Sequence, residues 1–338
     1  MSRSTLALLL ATLAGLGLAV GAVGWVGFAP VLGVVARIGV PGFAALVGYS
    51  ALPLALLGGA WWACAPPPES GSPRPGLLRF AWARTVREGA TDVLPFAQFG
   101  GLLVGARVLT TAGIAAATVW AAMVADLSTE LAAQLVFTLY GVGALALRLA
   151  HAGAAPDPWP PIVAGVAVSI AILAAFLALQ RPMLRLAGGL AERVLPGAAK
   201  ATAGVADGLA AIYARRPAIA AALALNLAAW IASAAGAWLA LSFMHARIAL
   251  ADVLTIEALI FTLRSAAFMI PGALGLQEAA YALIGPLFGL DPATALALSL
   301  VKRARDLAIG VPALLLWQAG EGRRLLRATP AAPTSQAK

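Results

Sequence analysis

Apolar positions in this chain run in long blocks, and the few charged positions sit at block edges or interrupt them. The first block is uncharged from Ser4 to Ala36, so a first span is expected over about Thr5–Phe28. That run is longer than a signal-peptide core, which favours an uncleaved span over a leader cut near "AVG". A second span is expected from about Pro41 to Cys64, closed by the interfacial pair Trp61–Trp62. Further blocks predict spans near Val108–Ala125, Leu131–Ala150, Pro161–Gln180, Pro217–Met244 and Pro292–Trp317. Three pieces are shorter: Pro95–Arg107, Asp252–Ile270 and Pro271–Gly289. A crossing helix needs about 20 apolar residues. The shorter pieces therefore predict half-helices or tightly packed short ones.

Polar punctuation falls between these blocks. "APPPESGSPRPG" is rich in proline and small polar residues and predicts a surface loop. "LLRFAWARTVREGATDVLP" then mixes charge with apolar residues. Arg84 and Glu88 lie four apart on one helix face, while Leu78, Trp82, Val86 and Val93 fall on the other. That pattern predicts an amphipathic helix at, or dipping from, a membrane surface, with Arg84, Arg87 and Glu88 as ordinary surface charge unless the helix dips. Arg181–Arg216 is basic and reads as a cytoplasmic segment with interfacial helices. Residues 321–338 read as a disordered basic cytoplasmic tail.

Composition turns these blocks into a membrane protein. The chain has 338 residues, 62% hydrophobic and 11% charged, against about 25% charged in ordinary soluble domains. The apolar segments do not alternate with polar residues over strand lengths, which excludes a β-barrel. The expected fold is all-α: a polytopic integral membrane protein with eight to ten membrane-inserted helices, some short, Pro/Gly-broken and re-entrant. It forms one domain over residues 1–320, with halves of roughly 1–150 and 160–320. The formal net charge of +9 fits arginine-rich cytoplasmic loops rather than nucleic-acid binding. Arg3, the Arg74–Arg87 region, Arg181–Arg216 and Arg323–Arg327 then share the inner side, so both termini are expected in the cytoplasm. This parity holds if Pro95–Arg107 and Val108–Ala125 each cross, and fails if Leu78–Arg107 is a re-entrant hairpin. One cysteine, Cys64, excludes an internal disulfide, and His151 and His245 are the only histidines. No metal or cofactor is expected.

The candidate chemistry lies in charges placed among apolar residues. A charge at mid-bilayer costs on the order of 2.5–3.5 kcal/mol and persists if paired, hydrated or able to reach an interface. "FTLRSAAFMIPGALGLQEAAYALIG" holds Arg264, Pro271, Gly272, Gly275 and Glu278, and Glu257 precedes it by one seven-residue step. A proline break frees backbone groups that need protein or water as partners. A polar cavity is therefore expected there; the alternative is a simple Arg264–Glu278 pair fastening two helices. In "SLVKRARDLAIG", Lys302 and Asp306 are spaced to neutralise each other, leaving Arg303 and Arg305 to meet a lipid phosphate or to lie at an interface. A weaker echo surrounds Pro95, with Arg87 before it and Gly100, Gly101 and Arg107 after it. Matching broken segments in two halves are a pointer to a transport site. Phosphate loops and nucleophile–base sets are missing, which argues against a conventional enzyme.

"FAWARTVREGATDVLPFAQFGGLLVGARVL", "RSAAFMIPGALGLQEAAYALIGPLFGL" and "ALSLVKRARDLAIGVPALLLWQ" resemble the hopanoid-biosynthesis-associated membrane proteins of the HpnL group. That group lies within the superfamily of the lysylphosphatidylglycerol synthetase transmembrane (flippase) region. The resemblance implies a bacterial inner-membrane lipid transporter whose partners are membrane lipid (a hopanoid, or an anionic or aminoacyl phospholipid) and lipid-biosynthesis proteins. It carries over Arg84, Arg87, Glu88, Pro95, Gly100, Gly101 and Arg107, and Arg264, Pro271, Gly272, Gly275 and Glu278. Where the family commonly has an asparagine before the Leu-Pro and an acidic residue after the Gly-Gly pair, this chain has Asp92 and Leu102. No aminoacyl-transferase domain is expected after Trp317. The alternatives are an intramembrane lipid-modifying enzyme and a scaffold for lipid-synthesis enzymes.

Overall fold

The structure, a computed structural model, describes residues 28–67, 76–93, 97–151, 153, 157, 159–192, 198–266 and 275–328. Among these residues the chain is helical with no strand. The helices are α1 (Phe28–Tyr49), α2 (Ala51–Cys64), α3 (Leu77–Val93), α4 (Ala97–Thr110), α5 (Ala116–His151) and α6 (Trp159–Glu192). They continue as α7 (Ala198–Ala214), α8 (Arg216–Phe243), α9 (Leu250–Ala266), α10 (Leu276–Ile284) and α11 (Pro292–Ala328). Four stretches are long and apolar enough to cross a membrane: Val31–Cys64, Ala116–His151, Ile162–Leu186 and Arg216–Phe243. The protein is a multi-pass, all-α membrane protein. The expected first span, Arg3, the loop from Pro68 to Pro75, Pro95, Pro271 and Gly272 lie outside the described residues.

Two antiparallel pairs of short helices give the bundle its plan. In the first, α3 and α4 run side by side: Gly101 faces Arg87 and Thr91, Gly105 faces Ala83 and Arg87, and Arg79 reaches the carbonyl of Ala112. In the second, α9 and α10 run side by side: Tyr281 meets Glu257, and Arg148 contacts both Asp252 and Phe288. Helix α11 is the pole between them. Its first half packs on α10, with Ala295 against Gly285, and its second half packs on α3, with Gly310 against Gly89. The α3–α4 pair therefore enters from the end of the bundle where α11 finishes. The α9–α10 pair enters from the end where α11 begins. At their inner ends Asp92 of α3 comes within electrostatic reach of Arg264 of α9 and of Arg305 and Asp306 on α11.

Several expectations need correction. The two spans predicted at Val108–Ala125 and Leu131–Ala150 are one helix, α5, of 36 residues. At about 1.5 Å per residue it exceeds the roughly 30 Å of a hydrocarbon core. "DLSTE", about three turns into it, is not a loop, because its carboxylates have buried partners. Leu78–Arg107 is a returning hairpin, yet among the described residues Arg79, Arg107, Arg215 and Arg324 still share one end. One crossing fewer in α5 compensates for one fewer in α4. Within the basic Arg181–Arg216 segment, residues 198–214 form α7, which buries Val205, Leu209 and Ile212 against α5 and neighbouring helices instead of lying free on a surface. The tail expected to be disordered from 321 continues α11 through Ala328.

Close backbone approaches position the hairpins. A Cβ on Gly58 would stand 2.4 Å from the Cα of Ala81, and one on Gly89 would stand 2.8 Å from the Cα of Gly310. Helix α1 bends at Gly39, whose φ of 57° suits glycine, two residues before Pro41. Gly89→Leu should force α3 off α11 and destabilise the protein by about 1–3 kcal/mol. Thermal unfolding in detergent checks this against Gly33→Ala, which meets nothing within 4 Å and should be near neutral.

Candidate functional site

Charged side chains are buried in two clusters, each built by one hairpin and the long helix that follows it. In the first, α3 supplies Arg84 and Arg87, 1% and 7% exposed. Helix α5 supplies Asp126 and Glu130, which share a face because they lie four apart. Arg84 reaches Asp126 at 3.1 Å, Glu130 at 2.5 Å and Glu88 at 2.8 Å. Arg87 reaches Asp126 at 3.4 Å and Glu130 at 3.3 Å. Asn226 of α8 donates to Thr129 at 3.0 Å and approaches Asp126 at 3.5 Å. Arg84 and Arg87 are thus buried ion-pair partners and not the surface charge expected of an interfacial helix. The apolar face of α3 turns to α11 through Val86 and Ala90.

In the second cluster the signs are reversed. Hairpin α9–α10 supplies Glu257 and Glu278, and α11 supplies Lys302 and Arg303. Lys302 pairs with Glu257, and the Tyr281 hydroxyl donates to the same carboxylate. Lys302 also donates to the Tyr281 oxygen at 2.7 Å and lies 5.7 Å from the Phe261 ring. Glu278 accepts from Arg303 Nε at 3.0 Å, and its second oxygen accepts from the Gly275 backbone N–H at 2.8 Å. Glu278 thereby also caps α10, where Gly275 has a φ of 75°. The predicted Lys302–Asp306 neutralisation does not occur. Arg305 holds Asp306 at 2.5 Å instead. The alternative Arg264–Glu278 fastening is also not formed.

The hairpin ends meet between these clusters. Asp92 of α3 lies in the electrostatic range of Arg264 of α9 and of Arg305 and Asp306 of α11, with Glu88 leading back to the first cluster. Arg305 in turn lies in the field of Glu257. Charged groups thus run from Asp126 through the middle of the bundle to Glu278. Arg264 makes no ion pair among the described residues; its guanidinium lies 5.9 Å from the Phe261 ring.

The structure therefore brings Arg84, Arg87, Glu88, Glu257, Arg264, Glu278, Lys302, Arg303, Arg305 and Asp306 into one interior system. It leaves Arg107 outside, on Glu321 at 3.2 Å. Of the glycine pair, Gly101 packs tightly while Gly100 meets nothing within 4 Å. Sequence reasoning missed Asp126, Glu130, Asn226 and Tyr281, and registered Asp92 only as a departure from a familiar pattern. The signal for the acidic pair was present: two carboxylates four apart inside apolar sequence. A cavity of about 530 Å³ lies beside this region, among Ser128, Thr129, Gln180 and Tyr213 and apolar side chains. Its polar groups bond one another, Ser128 to Tyr213 at 2.6 Å and Gln180 to Ser128 at 2.8 Å.

Glu257→Gln would leave Lys302 buried without its anion, which costs about 3–5 kcal/mol. Glu257→Gln with Lys302→Met should recover much of that stability. Melting temperatures of the single and double variants in detergent check this, and equal losses in both would refute it.

Comparison with known families returns a match. The sequence model of the family described as lysylphosphatidylglycerol synthase TM region covers residues 12–313. No curated protein and no solved structure matches the chain.

Proposed function

The chain belongs to the lysylphosphatidylglycerol synthase TM region family, and on that premise we propose that it moves a polar-headed lipid between the leaflets of the bacterial inner membrane. The observation that carries this reading is the meeting of two opposed hairpins at Asp92, Arg264, Arg305 and Asp306. Short, interrupted helices entering from opposite ends are how many transporters build a site near the bilayer midplane. The reading treats α1–α5 and α8–α11 as two inverted halves: in each, a crossing stretch (Val31–Cys64 and Arg216–Phe243), a returning hairpin and a long helix follow in order. A head group crossing the membrane needs charge partners that replace water. Arg264, without an ion pair among the described residues, is the group assigned to meet it.

The end of the bundle carrying Arg79, Arg107, Arg323 and Arg324 is taken as cytoplasmic by the positive-inside rule. The opposite end carries Arg148 and Arg247 against Asp157, Asp252 and Asp291. The motif resemblance favours a hopanoid or another polar-headed lipid supplied by lipid-synthesis enzymes. No chemical step is assigned to the protein.

In proteoliposomes, a head-group-labelled phosphatidylglycerol should become accessible to an impermeant quencher from both leaflets. Arg264→Ala should slow this redistribution at least tenfold while leaving the melting temperature near that of the wild type. An unchanged rate removes Arg264 from the path, and chemically altered lipid recovered by mass spectrometry would favour an enzyme instead.

A further inference from the structure

At the cation-rich end, the outer parts of α3, α4 and α11 enclose a cavity of about 480 Å³. Its walls include Arg79 and Trp82 from α3 and Leu316, Trp317, Glu321 and Arg324 from α11. We propose that this cavity binds the phosphate of an anionic phospholipid from the adjoining leaflet. Charge selects the ligand. Glu321 is shared by Arg107 and Arg324, each at 3.2 Å. Arg79 has no carboxylate partner among the described residues; it donates to the Ala112 carbonyl at 3.3 Å. Three guanidinium groups thus face one carboxylate, and the surplus is positive. A guanidinium meets a phosphate through paired, charge-assisted hydrogen bonds. The indole N–H of Trp317 is buried with no acceptor among the described residues.

The surroundings select a lipid over a free anion. Leu316 and Leu78 beside the arginines are 63% and 83% exposed, and Trp82 is 37% exposed. Indoles, outward leucines and arginines together match the level where head groups meet acyl chains. The leucines offer chain contacts that a soluble phosphate cannot use. The volume falls within the usual range for a small-molecule site, about 300–1,000 Å³. Helix α3 then leads inward from Arg79 to Arg84, so the site lies at the mouth of the interior charge system. Binding here stands without any lipid movement and does not depend on the transport reading.

The test uses the full-length protein in detergent and native mass spectrometry with phosphatidylglycerol, phosphatidylcholine and soluble glycerol phosphate. The wild type should retain phosphatidylglycerol in preference to phosphatidylcholine. Arg79→Gln should weaken phosphatidylglycerol binding about fivefold, the equivalent of about 1 kcal/mol per interfacial cation. Arg247→Gln, an exposed cation at the opposite end, should leave it unchanged. Equal loss in both variants would mean non-specific charge attraction and overturn the site. Full competition by glycerol phosphate at concentrations equal to the lipid would overturn the lipid assignment in favour of a free phosphate. Retained affinity in Arg79→Gln together with Arg324→Gln, at an unchanged melting temperature, would overturn the proposal outright.

Discussion

A charge buried among apolar helices must find an opposite charge there, and this constraint organises the protein. In each cluster the pairs between helices join one sign on the hairpin to the other sign on the long helix after it. Arg84 and Arg87 on the first hairpin meet Asp126 and Glu130 on α5. Glu257 and Glu278 on the second meet Lys302 and Arg303 on α11. Asp126 and Lys302 each lie about three turns into their helix, so the partners meet at matching depth. These pairs do not necessarily add net stability, since desolvation offsets much of the Coulomb attraction. They make the arrangement specific, because a hairpin displaced by one turn would leave several charges unpaired.

Small residues allow that arrangement. Without a hydrophobic difference between lipid and protein, helices in a membrane associate through close packing. Gly58 on Ala81, Gly89 on Gly310 and Gly101 on Thr91 bring α2, α11 and α4 against α3. α3 is the helix that carries the buried arginines. Packing and electrostatics therefore act on one element: the glycines bring α3 close enough for Arg84 to reach across to α5. The same helix leads outward to Arg79 and Trp82, where the interior charges give way to interfacial ones.

The broken segments show how far local sequence reaches. Short pieces after Pro95 and Pro271 were legible as half-helices because about 20 residues are needed to cross and they fall short. Arg264, Glu278 and Lys302 were legible as costly charges in apolar surroundings. Their partners were not. Lys302 and Asp306 satisfy the local spacing rule for a helix pair, yet Lys302 joins Glu257, 45 residues earlier. A local pair on one helix is worth only about 0.2–0.5 kcal/mol, and a buried carboxylate demands far more. Likewise "DLSTE" looked like a loop between two spans, because a charged interruption reads as polar until its partners are known.

By itself, the sequence determined that this chain is a helical membrane protein, which pieces are too short to cross and which charges lie among apolar residues. These follow from composition, block length and proline chemistry, all of which are local. Only the tertiary structure decided that the two broken pieces enter from opposite ends and meet at Asp92, Arg264, Arg305 and Asp306. It alone decided that Arg84 is an interior residue, and that α5 runs unbroken through its acidic pair. The reason is physical: the cost of a buried charge depends on what faces it, and what faces it here comes from helices distant in the chain.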